Sequence, residues 1–400
     1  MSTLLVVTLA LIGVALLSNY CVIFWRFLPK YNTPTLSVAA VEVFHNDTSS
    51  KPVITSSMKD PNNNNWCQSS LDYLKGTWVY DDNNNSTDLA YAYLTDQEEW
   101  APRCNELQTA YLQSGNQSQL VPQFLRYKWQ PNSCNLDHVW DREKFCRTLD
   151  GKTIGISGDS MSLQLANSIM GLSLGTVEQE QFITKRPLVE GEEGSWQLRV
   201  PLCPQQFQQQ QKYSVNLVFH RWNAYKGREQ DRQALGELLQ ESDYLILNWG
   251  LHPTTPTNPL ATAMDDLAEF LHANWKPPQK KPERLFWRST VVAHGKCSKY
   301  DAPIKLKKYD YHYMKLMGFI HKAYDGHIIL KHDDQIVKPK LLAKLPNMTI
   351  LRVEQMTMSR IDGHRVQGRN GVEDCLHYCE PGPVDSWAQL FYHHVVTLNM

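Results

Sequence analysis

A chain of 400 residues is long enough for one large domain or two modest ones. Apolar residues make up 42% and aromatics 10%, as in folded globular proteins, and 40 basic side chains against 41 acidic ones leave a net charge of −1. That balance provides no basic field of the kind nucleic-acid binding needs, so no nucleic-acid partner is expected.

The N-terminus departs from a globular pattern. From Leu4 to Phe24 the chain is uncharged and rich in Leu, Val, Ile and Ala. At about 1.5 Å per residue such a helix spans a hydrocarbon core of roughly 30 Å. Residues 1–28 are expected to be an uncleaved signal anchor, because the apolar run exceeds a typical signal-peptide core and no Ala-x-Ala cleavage site stands out. A cleaved signal peptide is the alternative. Arg26 and Lys30 argue against a lumenal C-terminal side by the positive-inside rule. Asn-x-Ser/Thr sequons at Asn46, Asn84, Asn85, Asn116 and Asn347 argue for it. So do the cysteines: beyond Cys21, an even set remains at Cys67, Cys104, Cys134, Cys146, Cys203, Cys297, Cys375 and Cys379. In an oxidising compartment these make up to four disulfides, with about 105 connectivities open.

Residues 29–65, rich in Thr, Ser, Asn and Pro, read as a stem. Residues 66–150 form a Cys-, Trp- and Tyr-rich segment with short elements, expected to be a small lobe held by disulfides. From residue 151 to 400 the texture changes to short apolar strands alternating with helices. Thr153–Ser157 is a strand followed by a helix from Met161 to Leu172. A helix around Arg232–Gln240 precedes a strand at Tyr244–Asn248. Asn258-Pro259 starts a helix with apolar residues at Leu260, Met264, Leu267 and Leu271, the spacing of one helical face. A strand at Leu285–Arg288, a helix around Tyr309–Tyr324 and a strand at Thr349–Val353 complete the series. This order predicts an α/β domain with a mostly parallel sheet covered on both faces, and places functional groups at the carboxyl ends of the strands.

Gly158-Asp159-Ser160 lies at one such end. A serine on a strand-to-helix turn presents its hydroxyl while backbone N–H groups face a developing oxyanion; the plainer reading is that Ser160 only caps the helix. Far downstream, Asp374 and His377 are spaced so that one loop can direct both toward the serine, the carboxylate fixing the imidazole tautomer. Ser160, Asp374 and His377 are the candidate catalytic residues. Cys375, His377 and Cys379 also form a ligand-like cluster, but three ligands so tightly spaced are uncommon for zinc and lumenal cysteines oxidise, so no metal is expected. For the oxyanion the candidates are the Ser160 and Gly158 turn and the Asn248 amide, in Asn248-Trp249-Gly250-Leu251-His252. Arg288, His252, Asp362 and His364 are candidate substrate contacts; Arg288 can equally be a buried ion-pair partner, and Asp362-Gly363-His364, a competing acid–base pair by composition, is read as structural or as lying at the substrate's edge.

Taken in order, several motifs resemble the trichome-birefringence-like proteins, the PC-esterase and PMR5 group of polysaccharide O-acetyltransferases within the GDSL/SGNH superfamily. These are Cys67 with Gly76-Thr77-Trp78-Val79, Trp129-Gln130-Pro131 with Cys134, Gly158-Asp159-Ser160, Asp362-Gly363-His364, and Asp374 through Gly382 with Asp385 and Trp387. The resemblance implies an SGNH-like three-layer α/β/α domain with a smaller disulfide-held lobe, and a Ser160–His377–Asp374 triad. It also implies a type II Golgi membrane protein with a lumenal catalytic domain. An acetyl donor, acetyl-CoA or another, would serve as co-substrate with no bound cofactor, and a polysaccharide or glycan hydroxyl as acceptor. A carbohydrate acetylesterase with the same triad and a non-catalytic glycan-binding relative are the alternatives. Departures from the family pattern occur at Leu163-Gln164-Leu165, after Asn248, and at Tyr378 and Glu380; they put the acceptor sugar in question.

Overall fold

The computed structural model describes residues 65–81, 123–174, 184–187, 195–203, 213–249, 257–276, 280–306, 311–320, 332–365 and 374–398. The expected anchor and stem, Cys21, Cys104, His252 and the sequons at Asn46, Asn84, Asn85 and Asn116 lie outside them. Asn347 lies in an exposed turn. Among the described residues no helix is long and apolar enough to cross a membrane.

The strands are β1 (Gly76–Tyr80), β2 (Tyr127–Pro131), β3 (Thr153–Gly158), β4 (Thr184–Pro187), β5 (Trp196–Pro201), β6 (Asn216–Arg221), β7 (Tyr244–Asn248), β8 (Leu285–Arg288) and β9 (Thr349–Leu351). The α-helices are α1 (Arg142–Thr148), α2 (Ser160–Leu174), α3 (Glu229–Glu241), α4 (Thr257–Asn274), α5 (Tyr311–Leu316), α6 (Lys338–Lys344), α7 (Glu354–Met358) and α8 (Asp385–Tyr392). Seven strands form one sheet in the order β4-β5-β6-β3-β7-β8-β9. The five from β6 to β9 are parallel, and β4 and β5 add an antiparallel edge.

Residue alternation along the strands produces the layers. Ile154, Ile156, Leu217, Phe219, Tyr244, Ile246, Phe286 and Leu351 join one buried cluster with Leu165 and Ile169 of α2 and Leu390 and Phe391 of α8. Their neighbours Val218, Leu245, Leu247, Leu285, Trp287 and Ile350 face the other way, onto Leu235 and Leu238 of α3, Leu267 and Leu271 of α4 and Leu341 of α6. A strand covered on both faces needs apolar residues at consecutive positions, which is why Leu245-Ile246-Leu247 is unbroken. Each large apolar side chain so enclosed stabilises the fold by about 1.5–3 kcal/mol. This is the expected three-layer α/β/α arrangement.

The N-terminal segment packs onto the same core. β1 and β2 pair antiparallel with Trp78 opposite Trp129, and Tyr73 and Trp129 belong to the cluster that includes Ile154. The Trp78 indole N–H donates to the Met356 carbonyl at 2.8 Å, and the Arg360 guanidinium lies 4.3 Å over its ring. Disulfides join Cys67 to Cys134, Cys146 to Cys203 and Cys297 to Cys375, and Cys379 is also disulfide-bonded.

The expected helix over Tyr309–Tyr324 is shorter. α5 ends at Leu316, where Gly318 turns the chain at φ 76°. The antiparallel edge and β6 were not anticipated: Asn216-Leu217-Val218-Phe219-His220-Arg221 mixes polar ends with a three-residue apolar centre and gives a weak strand signal.

Candidate active site

The carboxyl ends of β6, β3 and β7 lie side by side, with Gly158 in register with Asn248 on one side and with Arg221 on the other. A side chain at 158 has no room: a Cβ there would lie 2.1 Å from the Asn248 carbonyl oxygen and 2.2 Å from Ser162 Oγ. The need for glycine at 158 is therefore steric, set by how closely β7 and α2 approach.

Ser160 opens α2 but does not cap it. Asp159 does, fully buried, its Oδ1 accepting from the N–H of Met161 at 3.0 Å and of Ser162 at 3.4 Å. This corrects the reading of Ser160 as an N-cap: with the neighbouring carboxylate in that place, the hydroxyl is free to point elsewhere. It points at His377. The Ser160 Oγ to His377 Nε2 distance is 2.8 Å, and His377 Nδ1 lies 3.0 Å from Asp374 Oδ2. Facing a carboxylate, Nδ1 carries the proton, which leaves the Nε2 lone pair to accept from the serine O–H.

Asp374 is fixed by its own loop. Its Oδ1 accepts from the N–H of Leu376 and of His377, a turn in which the carboxylate grips the two residues that follow Cys375. Burial pushes its carboxyl pKa up, but the hydrogen bond and charge of the His377 ring, with the two N–H groups, outweigh this and hold it well below the usual range. Both side chains are largely enclosed, 19% exposed for His377 and 15% for Asp374. The Cys297–Cys375 bridge and the His294 N–H bond to the Cys375 carbonyl at 2.8 Å tie this loop to the segment after β8. With Cys375 and Cys379 both in disulfides, neither sulfur is a thiolate ligand, so the zinc alternative lacks its donors.

α2 meets the 377–385 segment through a polar stripe. Ser160, Gln164, Asn167 and Ser168 recur at helical spacing. Gln164 exchanges two hydrogen bonds with the Tyr378 backbone, Asn167 Nδ2 donates to Glu380 at 3.2 Å, and the Ser168 hydroxyl donates to Asp385. Asp385 in turn accepts from the Gly382 N–H at 2.9 Å.

Several residues expected at the substrate lie deeper. Asn248 is buried; its Nδ2 donates to the Arg288 carbonyl at 2.7 Å and to Thr290 Oγ1 at 3.0 Å, so its amide hydrogens are not directed at an oxyanion. Arg288, 1% exposed, donates to Asn248 Oδ1 at 2.8 Å and lies over the Trp387 ring; burial lowers its pKa to about 10. It braces β7 against β8 behind the site rather than lining it. Asp362 is enclosed in an ion pair with Arg360, whose Nη2 also donates to the Phe124 carbonyl at 2.6 Å, so it anchors the N-terminal segment. His364 is buried too. Its Nε2 lies 2.7 Å from His294 Nδ1, its Nδ1 is 3.0 Å from the His377 carbonyl oxygen, and its ring stacks on Tyr378 at 4.1 Å. His294 Nε2 donates to the Met358 carbonyl at 2.9 Å. Burial pushes both imidazole pKa values down. Asp362 and His364 are thus not an acid–base pair for substrate.

Comparison with known proteins bears on the chemistry. A family profile described as "PC-Esterase: GDSL/SGNH-like Acyl-Esterase family found in Pmr5 and Cas1p" matches residues 193–394, a span that includes Asp374 and His377 and begins after Ser160. Curated relatives from Arabidopsis thaliana align more broadly. Protein trichome birefringence-like 43 is 24% identical over 302 residues, 68% of this chain and 76% of the relative. Protein trichome birefringence-like 4 is 20% identical over 375 residues, 81% and 74%. Protein trichome birefringence-like 39 is 23% identical over 368 residues, 84% and 90%. With half the chain matched by the profile and the seven-stranded α/β/α layers in place, this chain belongs to the PC-esterase family of GDSL/SGNH-like acyl-esterases, which it shares with the trichome birefringence-like proteins it resembles.

Proposed function

We propose that the protein transfers acetyl groups to hydroxyls of a polysaccharide or glycan through an acyl-enzyme on Ser160. The observation that carries this reading is the Ser160–His377–Asp374 chain, with contacts of 2.8 and 3.0 Å. In the first step His377 Nε2 takes the Ser160 proton as Oγ attacks the acetyl carbonyl of the donor, and Asp374 stabilises the imidazolium that forms. The oxyanion is met by the Ser160 N–H, at the positive end of α2, since the Met161 and Ser162 N–H groups already donate to Asp159. Collapse of the tetrahedral intermediate expels the donor's leaving group, protonated by His377. A glycan hydroxyl then gives its proton to His377 as its oxygen attacks the acyl carbon, and collapse of that intermediate breaks the acyl bond to Oγ, which takes the proton back from His377. Transfer prevails over hydrolysis when the sugar excludes water from the acyl carbon.

The donor is proposed to be a co-substrate such as acetyl-CoA. The described disulfides support a lumenal setting, in line with an N-terminal anchor in a Golgi membrane. Incubating the protein with labelled donor and candidate polysaccharides, followed by mass spectrometry, tests the reading. Acetyl incorporation is expected for the parent and not for Ser160→Ala. Undiminished transfer by that variant overturns the mechanism. Release of acetate from acetylated glycan, with no transfer, assigns the same triad to an esterase.

A further inference from the structure

We infer that Gln164 is a positioning residue for His377, acting through the backbone of Tyr378; the inference rests on the serine mechanism proposed above. Gln164 lies one helical turn beyond Ser160 on the same face of α2 and is 2% exposed. Its Nε2 donates to the Tyr378 carbonyl at 2.7 Å, and its Oε1 accepts from the Tyr378 N–H at 3.1 Å. Both ends of one side-chain amide are thus matched to the backbone N–H and carbonyl of one residue, as neighbouring strands match each other. The opposite side of the segment is held by residues 363–365. The Cys379 N–H donates to the Gly363 carbonyl at 2.9 Å, and the Arg365 N–H donates to the His377 carbonyl at 3.1 Å.

The consequence is a two-point attachment. Ser160 meets the His377 ring, and Gln164, on the same rigid helix, meets the next residue's backbone. One hydrogen bond fixes a distance; the added pair also fixes rotation of the loop about that contact. It matters most when Ser160 is acylated. Oγ then has no proton to donate, the Ser160–His377 bond is lost, and the imidazole must keep its place to accept a proton from the incoming hydroxyl. The Gln164 pair is unaffected by the state of the serine. Its two bonds are not equally replaceable: the Tyr378 carbonyl also accepts from Arg365 Nε at 3.0 Å, whereas Gln164 Oε1 is the acceptor for the buried Tyr378 N–H.

The test compares the parent, Gln164→Leu and Gln164→Glu, with Ser160→Ala as the blank, in their rates of labelling by a serine-directed fluorophosphonate. Rates are normalised to folded protein by circular dichroism. Gln164→Leu is expected to label about 10- to 100-fold more slowly at saturation, with the half-saturating concentration within about twofold of the parent, the cost of a displacement of order 1 Å in a catalytic group. Gln164→Glu separates positioning from packing. Its ionised carboxyl offers two acceptors, one of them opposed to the Tyr378 oxygen, and its protonated carboxyl restores one donor and one acceptor. The ratio of Gln164→Glu to parent rate should therefore rise as pH falls through the titration of the introduced group, which burial moves upward. Equal labelling of folded Gln164→Leu, or a ratio flat in pH, overturns the assignment. Should Gln164→Leu fail to fold, the Gln164→Glu ratio decides alone. A parent that does not label at Ser160 sinks the serine mechanism itself, a result distinct from either.

Discussion

Replacing Asp374 by Asn tests the proposed relay with little change of shape. The carboxylate accepts four contacts: the N–H of Leu376 at 3.2 Å and of His377 at 3.1 Å, both on Oδ1, and the ring Nδ1 at 3.2 and 3.0 Å on Oδ1 and Oδ2. An Asn keeps an oxygen for the two backbone donors, so the loop is retained. Its NH2 group then faces Nδ1, which must become the acceptor, and the ring proton moves to Nε2. Ser160 is left facing an N–H rather than a lone pair, and no base remains. Where such a tautomer switch has been isolated in a serine triad the loss in kcat is about 10⁴-fold, and a loss of about 10³- to 10⁴-fold is expected here, equivalent to about 4–5.5 kcal/mol of barrier. The assay is hydrolysis of p-nitrophenyl acetate together with fluorophosphonate labelling, with thermal unfolding as the control for folding. A variant that folds normally and keeps more than a tenth of the parent kcat would show that Asp374 does not set the protonation of His377.

Other outcomes follow from the same geometry. Asp159→Ala leaves the Met161 and Ser162 N–H groups without their acceptor and is expected to lower stability by about 1–2 kcal/mol, while Asp159→Asn, which can still cap, should cost less; urea titration of the two variants checks the order. Replacing Cys297 and Cys375 by Ser opens a loop with sequence separation 78, for which the chain-entropy relation gives on the order of 4 kcal/mol. Because Asp374 precedes one of these cysteines, labelling at Ser160 should slow even in the folded fraction, and an unchanged rate per folded molecule would show that the bridge has no part in holding Asp374. Stability should also fall on acidification. Burial lowers the pKa of His393, and lowers that of His394 to about 3; His393 Nδ1 accepts the Asp137 N–H, which a protonated ring cannot do. Below about pH 6.5 the unfolded rings bind protons more readily than the folded ones, so stability is present above that pH and declines below it, for His394 by up to about 1.4 kcal/mol per pH unit down to about pH 3. Thermal melts between pH 7 and 4 measure the slope, and His394→Phe should reduce it.

How far the sequence foretold the structure depended on range. Thr153–Ser157, Tyr244–Asn248 and Leu285–Arg288 were legible as strands because a doubly covered strand needs an unbroken apolar run, and the spacing of Leu260, Met264, Leu267 and Leu271 marked α4. Ser160, Asp374 and His377 were legible as a set that belongs together, since few residue sets activate a hydroxyl, and the structure brings the three within hydrogen-bond distance. Contacts between distant segments were not. Asn248 looked like an oxyanion donor until Arg288 and Thr290, about forty residues on, turned out to occupy its amide. Asp362 and His364 had the composition of a reacting pair, but Arg360 and His294 absorb them. Gln164 had a faint signal, a lone amide between Leu163 and Leu165, which gained meaning only once Tyr378 was found 214 positions away.

The stripe on α2 has a bearing on how the molecule is assembled. A helix whose enclosed face carries Gln164, Asn167 and Ser168 has no apolar surface there to hide by itself, and those groups stay hydrated until the distant C-terminal segment arrives. Docking of that segment is the same event that brings the imidazole to the serine. Species that have collapsed early, before that docking, therefore lack the Ser160–His377 contact.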